Sequence, residues 1–434
     1  MKNLKLLALV LLLASCFLPL TAQVAGTSST YSRFGLGVLH DQSNGFNRSM
    51  GGVGIGVRIG NRVNAVNPAS YSAIDSLSLL FDVGMKASFG TMKQDAKSVG
   101  VKNAALDFVH VGFHAAKRLG VAVGFMPYTS IGYEFSSPEK PVANNINTTQ
   151  LITSSNAYSG KGGLNQAYIG LGWKAYRNFS VGANVSFVWG KYDHYVTPFY
   201  KEGGVDSDHF DGTLKNYTAS IKTYKIDFGA QYPIRLTRQD WLTLGATAGL
   251  GHKIAQDATL LLDTTQYTAP SPFDLPYTFG FGAAWQHKNT LLVAADVHHE
   301  RWGNCRMPAE TSDTENPYIA MKGFYCNMTK FAIGSQWTPN PFGKYWERVQ
   351  YRAGFNYATP YLKVNGMDGP KELSLSIGAG LPILNGINSR SVVNVGLQWQ
   401  RRSASGAGMI KEDYFVINLG VTFNERWFLK YKIE

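Results

Sequence analysis

From Ser78 to the C-terminus the chain repeats one pattern about fourteen times: roughly ten residues alternate apolar with polar or glycine, and a turn follows. Val416–Phe423 reads VINLGVTF, and Asn178–Gly190 reads NFSVGANVSFVWG. In the second, Phe179, Val181, Ala183, Val185, Phe187 and Trp189 share one face, with Ser180, Gly182, Asn184, Ser186 and Gly190 opposite. A period of two makes strands with one apolar and one polar face. Strands of a soluble sandwich usually run nearer five or six residues and turn the apolar face inward. Segments this long, rich in aromatics at their ends, predict an all-β chain that forms an antiparallel transmembrane β-barrel.

The N-terminus adds a second constraint. Met1–Ala22 carries Lys2 and Lys5, an apolar run from Leu6 to Ala14, then Leu20-Thr21-Ala22 before Gln23. This reads as a secretory signal peptide, its apolar run too short to span a bilayer. Leu13-Ala14-Ser15-Cys16 offers the alternative of lipoprotein cleavage, which would leave Cys16 lipidated. No other run of 18 apolar residues occurs, which excludes a helical membrane protein. No linker or composition break divides the remainder, so one barrel (residues 78–434) behind a short segment (Gln23–Leu77) is the simplest organisation. The formal net charge of +12 includes two lysines that leave with the signal. A basic balance can mean nucleic acid, but an exported chain rarely meets any. Outer-membrane lipid and lipopolysaccharide are the expected contacts.

The pattern predicts β1 at Ser78–Gly90, β2 at Ala104–Lys117, β3 at Leu119–Phe135, β4 at Leu164–Tyr176, β5 at Asn178–Lys191, β6 at Tyr217–Pro233 and β7 at Trp241–Ala255. It continues with β8 at Leu275–His287, β9 at Thr290–Trp302, β10 at Met321–Thr338, β11 at Arg348–Thr359, β12 at Lys371–Pro382, β13 at Ser391–Arg401 and β14 at Glu412–Phe423. Connections after β2, β4 and β8 are short (Arg118; Arg177; Lys288–Asn289). Those after β3, β5, β7 and β9 are long (Ser136–Gly163, Tyr192–Asn216, Gln256–Asp274, Gly303–Ala320). Tight turns at one rim and long loops at the other are what an outer-membrane barrel has. Pro339–Glu347, before β11, is the long exception.

Face assignment sends Tyr277, Phe279, Phe281, Ala283 and Trp285 of β8, and Val393, Val395, Leu397 and Trp399 of β13, to the lipid side. Trp173, Trp285, Trp337 and Trp399 are expected near the short-turn ends, as an aromatic girdle. The lumen side collects Asp82, Lys86, His110, His114, Asp296, His298, Glu300, Arg352, Asn356 and Asn418. It also collects Gly170, Gly172, Gly245, Gly249, Gly280, Gly282, Gly378 and Gly380. Inward glycines vacate the lumen for something else. Gln23–Leu77, rich in Gly, Ser and Asn and without even alternation, is the expected occupant: an N-terminal plug.

A glycine-rich N-terminal segment bearing Asn67-Pro68-Ala69, followed by about fourteen strands, resembles the FadL-like family of outer-membrane hydrophobic-compound transporters. The resemblance covers essentially the whole mature chain. It implies passive uptake of hydrophobic small molecules, a plug with its Asn-Pro-Ala motif, and a kinked third strand that opens a lateral window to the bilayer. Bacteroidetes-type barrels that resemble this family serve instead in protein secretion or surface-complex assembly, so family does not settle function.

Pro127 sits within β3, where proline cannot donate to the ladder and a closed barrel offers no edge. It therefore predicts a kink, read either as that window or as a harmless bulge, or else a strand that ends before Phe135. Phe34, Tyr71, Phe108, Met126 and Tyr168 are the candidate ligand lining. Asp296, His298 and Glu300 alternate on β9, as His110 and His114 do on β2. Such groups could bind metal or act as acid and base, but residues i and i+2 on a strand lie about 7 Å apart, and β2 and β9 are far apart around a barrel. Structural pairing is expected, with no metal site. Gly52–Val57 (GVGIGV) lacks the flanking strand and helix of a dinucleotide fingerprint. Without a nucleophile, metal or phosphate-loop motif, no enzyme and no cofactor are expected. Cys305 and Cys326, at one rim and separated by 20 residues, are expected to form a disulfide in an oxidising compartment, worth roughly 3 kcal/mol.

The reading is an integral protein of the bacterial outer membrane. Its leading function is passive uptake of hydrophobic small molecules. The alternative is a non-transporting subunit of a secretion, assembly or surface complex, with other outer-membrane proteins held through the long loops.

Overall fold

A strand with one apolar and one polar face can satisfy both by closing a sheet around a polar interior. In the computed structural model, fourteen strands do so. It describes residues 27–142, 152–202, 205–206, 212–313, 315–383, 391–406 and 408–426. The expected signal peptide, with Cys16, lies outside the described residues. The strands are β1 Ser78–Gln94, β2 Lys97–Ala116, β3 in two pieces (Leu119–Pro127 and Thr129–Ser136), β4 Ile152–Tyr176, β5 Phe179–Glu202, β6 Lys215–Arg235 and β7 Asp240–Gly249. They continue as β8 Thr278–His287, β9 Leu291–Glu300, β10 Met328–Trp337, β11 Gln350–Ala358, β12 Lys371–Pro382, β13 Val392–Ser403 and β14 Lys411–Arg426. Each pairs antiparallel with its chain neighbour, and β14 closes on β1 from Ser78↔Arg426 to Lys93↔Lys411.

Short connections use left-handed residues at Arg118 (φ 73°), Arg177 (φ 44°) and Lys288 (φ 50°). Positive φ is what a two-residue hairpin turn requires. At the opposite rim the loops carry hairpins of their own. Ala258–Leu262 pairs with Thr265–Ala269 and with β6, and Met307–Glu310 pairs with Tyr318–Met321.

The wall is apolar outside and polar inside. Phe281 (67% exposed), Phe415, Ile377 and Ile169 point outward, whereas Asp82, Ser180, Asn184, Asn356 and Asn418 are buried. Trp173, Trp285 and Trp337 stand at the turn-side ends of their strands. Trp399 does not: β13 ascends from the turn side, so Trp399, opposite Phe415 and Leu375, belongs to the loop-side half. The sequence expectation placed it by strand position without the direction of travel.

Residues 27–77 run inside this wall. Met50, Val53, Val57, Val63 and Tyr71 are fully buried. Two apolar clusters join them to it: Phe46, Met50, Val53 and Val57 with Ala284, Leu292, Ala294 and Ala332, and Val63, Tyr71 and Ile74 with Leu80, Phe108, Ala122, Met126 and Tyr168. The wall meets the segment through glycines. A Cβ at Gly172 would lie 2.5 Å from the Pro68 oxygen, one at Gly182 2.6 Å from the Ala69 nitrogen, one at Gly282 2.8 Å from Ile55 Cβ, and one at Gly378 2.6 Å from Ser49 Oγ. These glycines face one another across the ladder, as Gly120↔Gly172, Gly172↔Gly182, Gly182↔Gly229, Gly245↔Gly282, Gly334↔Gly354 and Gly378↔Gly396. Together they form a belt without side chains, against which the segment's backbone lies.

Candidate functional site

The Asn67-Pro68-Ala69 motif caps a 3-10 turn, Pro68–Ala73. Asn67 Oδ1 accepts from the Ala69 N–H (3.1 Å), while its Nδ2 donates to the carbonyls of Ile55 (2.8 Å) and Ala230 on β6 (3.1 Å). One side chain thus caps the start of the turn and ties it to the wall. Elsewhere the Gly54 and Ile55 N–H groups donate to Asp296 Oδ2 (2.6 and 2.9 Å), and Arg48 pairs with Asp107. Lys330 Nζ lies 2.8 Å from Asp41 Oδ2. Charged wall residues are therefore committed to the segment.

Asp107 owes its inward position to a register shift between Gly84 and Met85 that leaves it unpaired on β2. Below the bulge Phe108, His110 and Gly112 face the lumen; above it Val99, Val101, Asn103 and Ala105 do. Bulges re-aim side chains in this way.

β3 breaks after Pro127. Its first piece pairs with β2 only as far as Val109↔Phe125, and its second pairs with β4 from Ile131↔Gly162 to Ser136↔Ala157. Facing the break on β4, Gly162 (φ 127°) and Gly163 (φ 120°) occupy backbone open to glycine alone. Above the break, among the described residues, β2 pairs with β1 and not with β3. Val38–Leu39 of the luminal segment instead adds two residues of ladder to Thr129–Ser130. Ser32 Oγ accepts from the Gly132 N–H (3.1 Å), and the Asn103 side-chain amide on β2 hydrogen-bonds Ser28 Oγ (2.9 Å). A cavity of about 590 Å³ spans the gap, lined by Met92, Val99, Val101, Tyr133, Phe135 and Ile410 beside Thr27, Ser28 and Thr30.

Tyr71, Phe108, Met126 and Tyr168 meet in one cluster, buried to 4% exposure or less. They are packed against one another and line none of the described cavities. Phe34 is apart from them, against the loop-side core. Val99, Val101 and Ile410, which the sequence reading did not single out, line the gap instead. The alternation of Val99, Val101 and Asn103 is visible in the sequence, but the bulge reverses its phase relative to His110.

His110 stacks on Phe108 and lies 3.0 Å from the Tyr168 hydroxyl, and His114 Nδ1 donates to the Ile74 carbonyl (3.1 Å). His298 Nε2 is 3.1 Å from Glu300 Oε1, and Glu300 also accepts from Trp302 Nε1 (2.5 Å). Among the described residues no three His, Cys, Asp or Glu side chains converge as metal ligands.

The loop-side mouth is filled by an apolar core that includes Trp302, Tyr318, Tyr325, Phe273, Tyr192 and Leu362. Cys305 is part of it, both cysteines are free, and the expected disulfide is absent. Cys305 is buried with its Sγ toward the Arg301 carbonyl, while Cys326 turns toward Asp368 Oδ1 (3.4 Å) in the next loop. The reason is pairing: the Cys326 N–H donates to the Tyr361 carbonyl (2.9 Å), which ties that strand end to the following loop. Burial, with Asp274 and Glu300 nearby, pushes the Cys305 thiol up to about 12.

Solved structures share this architecture. The chain is similar to the toluene transporter TbuX of Ralstonia pickettii, at 14% identity over 89% of this chain and 99% of that one, with a TM-score of 0.59. It is similar to the toluene transporter TodX of P. putida, at 15% identity over 90% and 100%, with a TM-score of 0.57. It is also similar to a FadL homologue of Pseudomonas aeruginosa, at 12% identity over 89% and 99%, with a TM-score of 0.59. At such identities the likeness shows the fold: a fourteen-stranded barrel of the FadL type. No curated protein matches in sequence. The BamG family model matches residues 2–434, and the chain belongs to the BamG family.

Proposed function

We propose that this chain is an integral outer-membrane barrel, its tight turns toward the periplasm and residues 27–77 acting as a plug, that passes hydrophobic small molecules passively between its outer half and the bilayer. The observation that carries this reading is the gap above Pro127, where β2 and β3 part around a cavity of about 590 Å³ whose apolar side, Met92, Val99, Val101, Phe135 and Ile410, is rimmed by Lys97, Glu134 and Lys161. An apolar cavity of roughly 150 Å³ already holds benzene. A ligand would gain by burying its surface against Val99, Val101, Met92 and Phe135, and would leave sideways without crossing the packed lumen. The FadL-type fold supports the same reading. The test is uptake: Val101→Trp fills the cavity, so cells with this folded variant should lose uptake of a hydrophobic tracer that wild-type cells accumulate. Equal uptake by both would remove the route.

A second reading, a non-transporting subunit of a secretion, assembly or surface complex, is favoured by the loop-side core. Trp302, Tyr318 and Tyr325 close the outer mouth and give the loops one fixed surface. Stoichiometric partners on purification in mild detergent, with uptake unchanged by deletion of the chain, would select it.

A further inference from the structure

The turn-side mouth holds a separate cavity of about 280 Å³, lined among others by Arg62, Arg348, Gln286, Gln336, Gln350 and Thr338. Among the described residues no aspartate or glutamate lines it. Arg62 is 3% exposed and lies over the Phe46 ring, 4.7 Å from its centroid. Its guanidinium donates to Gln350 Oε1 and, at 3.4 Å, to Asn394 Oδ1. Behind it Arg352, equally buried, donates to Gln336 Oε1 (2.8 Å), Asn394 Oδ1 (2.8 Å) and the same Gln350 Oε1 (2.6 Å). Two buried guanidinium groups thus share three neutral amide oxygens, and among the described residues neither makes an ion pair. The carboxylate whose charge reaches both is Asp82, itself held by Asn44 Nδ2 and Thr422 Oγ1 at 3.0 Å each.

Buried charge of one sign is costly unless a counter-charge meets it. Arg348 adds a third guanidinium at the rim, positioned by its Nε–H bond to the Gly343 carbonyl (2.7 Å). Gln350 Oε1 already accepts two bonds, so Gln350 has only its amide N–H groups left to offer, and Gln336 brings a further amide N–H pair. The cavity therefore combines excess positive charge, neutral donors and no competing acid, the chemistry that recognises a phosphate group. We propose that the turn-side cavity binds a phosphate-type oxyanion, with Arg62 at its back and Arg348 at its rim. This site is independent of the uptake reading, since it lies at the opposite end of the barrel from the gap.

Calorimetric titration of the purified full-length barrel in detergent with inorganic phosphate tests it. Saturable binding is expected, weakened at least tenfold in Arg348→Gln or Arg62→Gln. Should Arg62→Gln fail to fold, the half-buried Arg348 still decides the matter. Displacement of bound phosphate by short-chain phosphatidylglycerol assigns the site to a lipid headgroup, and no displacement assigns it to free phosphate. Absence of saturation in the wild type up to roughly 10 mM, or unchanged affinity in every folded variant, overturns the proposal.

Discussion

Replacing Gly172 by alanine tests the docking of the luminal segment at a single atom. The added Cβ would stand 2.5 Å from the Pro68 oxygen, 2.8 Å from the Ser72 nitrogen and 2.9 Å from Tyr71 Cβ. All three atoms belong to the segment, and two are backbone, so relief requires the 3-10 turn to move off the wall. Overpacking of this kind costs about 1–3 kcal/mol. Against it stands the gain of about 0.5–1 kcal/mol that alanine brings over glycine within a strand. Gly100 on β2 supplies the control, because a Cβ there meets nothing nearer than the Gly90 oxygen at 4.0 Å. Gly100→Ala should be neutral or stabilising, and since both variants share the alanine gain, Gly172→Ala should lie about 1–3 kcal/mol below it. Urea unfolding in micelles, followed by tryptophan fluorescence, gives the difference. Limited proteolysis should cut within residues 27–77 faster in Gly172→Ala alone. Equal stabilities of the two variants would refute the picture of a segment pressed against a glycine belt.

Deleting residues 23–75 should raise ion conductance in planar bilayers, since this segment occupies the space the inward glycines leave; unchanged conductance counts against its plug role. Pro127→Thr should restore a backbone donor in β3 and lower hydrophobic uptake while heat-modifiable folding persists, and undiminished uptake would detach the break from transport. In native protein at pH 8, a maleimide should label Cys326 and spare Cys305, whose buried thiol is held protonated up to about pH 12. A Cys305–Cys326 bridge found by mass spectrometry of unreduced peptides would contradict the separated thiols.

The barrel was legible in the sequence because each strand writes its two faces locally. Phe279, Phe281 and Leu397 point outward from alternation alone, and the alternation of short and long connections gave the direction of each strand. What escaped depends on partners distant in sequence. The bulge at Asp107 answers to Arg48, 59 residues away, and it inverts the faces of everything above it on β2. Pro127 announced an irregularity, but the extent of the parting of β2 and β3 follows from Val38–Leu39 and from Gly162-Gly163 on β4. The cysteines lay at one rim, as their positions implied. Proximity along a rim did not make a pair once Cys326 joined the Tyr361 backbone. Phe34 looked like a companion of Tyr71, yet the segment crosses most of the lumen between them.

The contacts at the start of the luminal segment also imply an order of events during biogenesis. Ser29 and Thr30 donate to Glu412 on β14, 383 and 382 residues away, while Ser28 reaches Asn103 on β2. The start of the luminal segment is therefore fastened by the last strand of the barrel. Contacts of such separation form late, after the loop-closure cost has been met. A finished cylinder leaves no room at the level of Gly172 and Gly182 for the 3-10 turn to thread past. The segment must lie in the nascent lumen before the β1–β14 seam zips, so the wall assembles around its own first residues and seals them in with the closing strand.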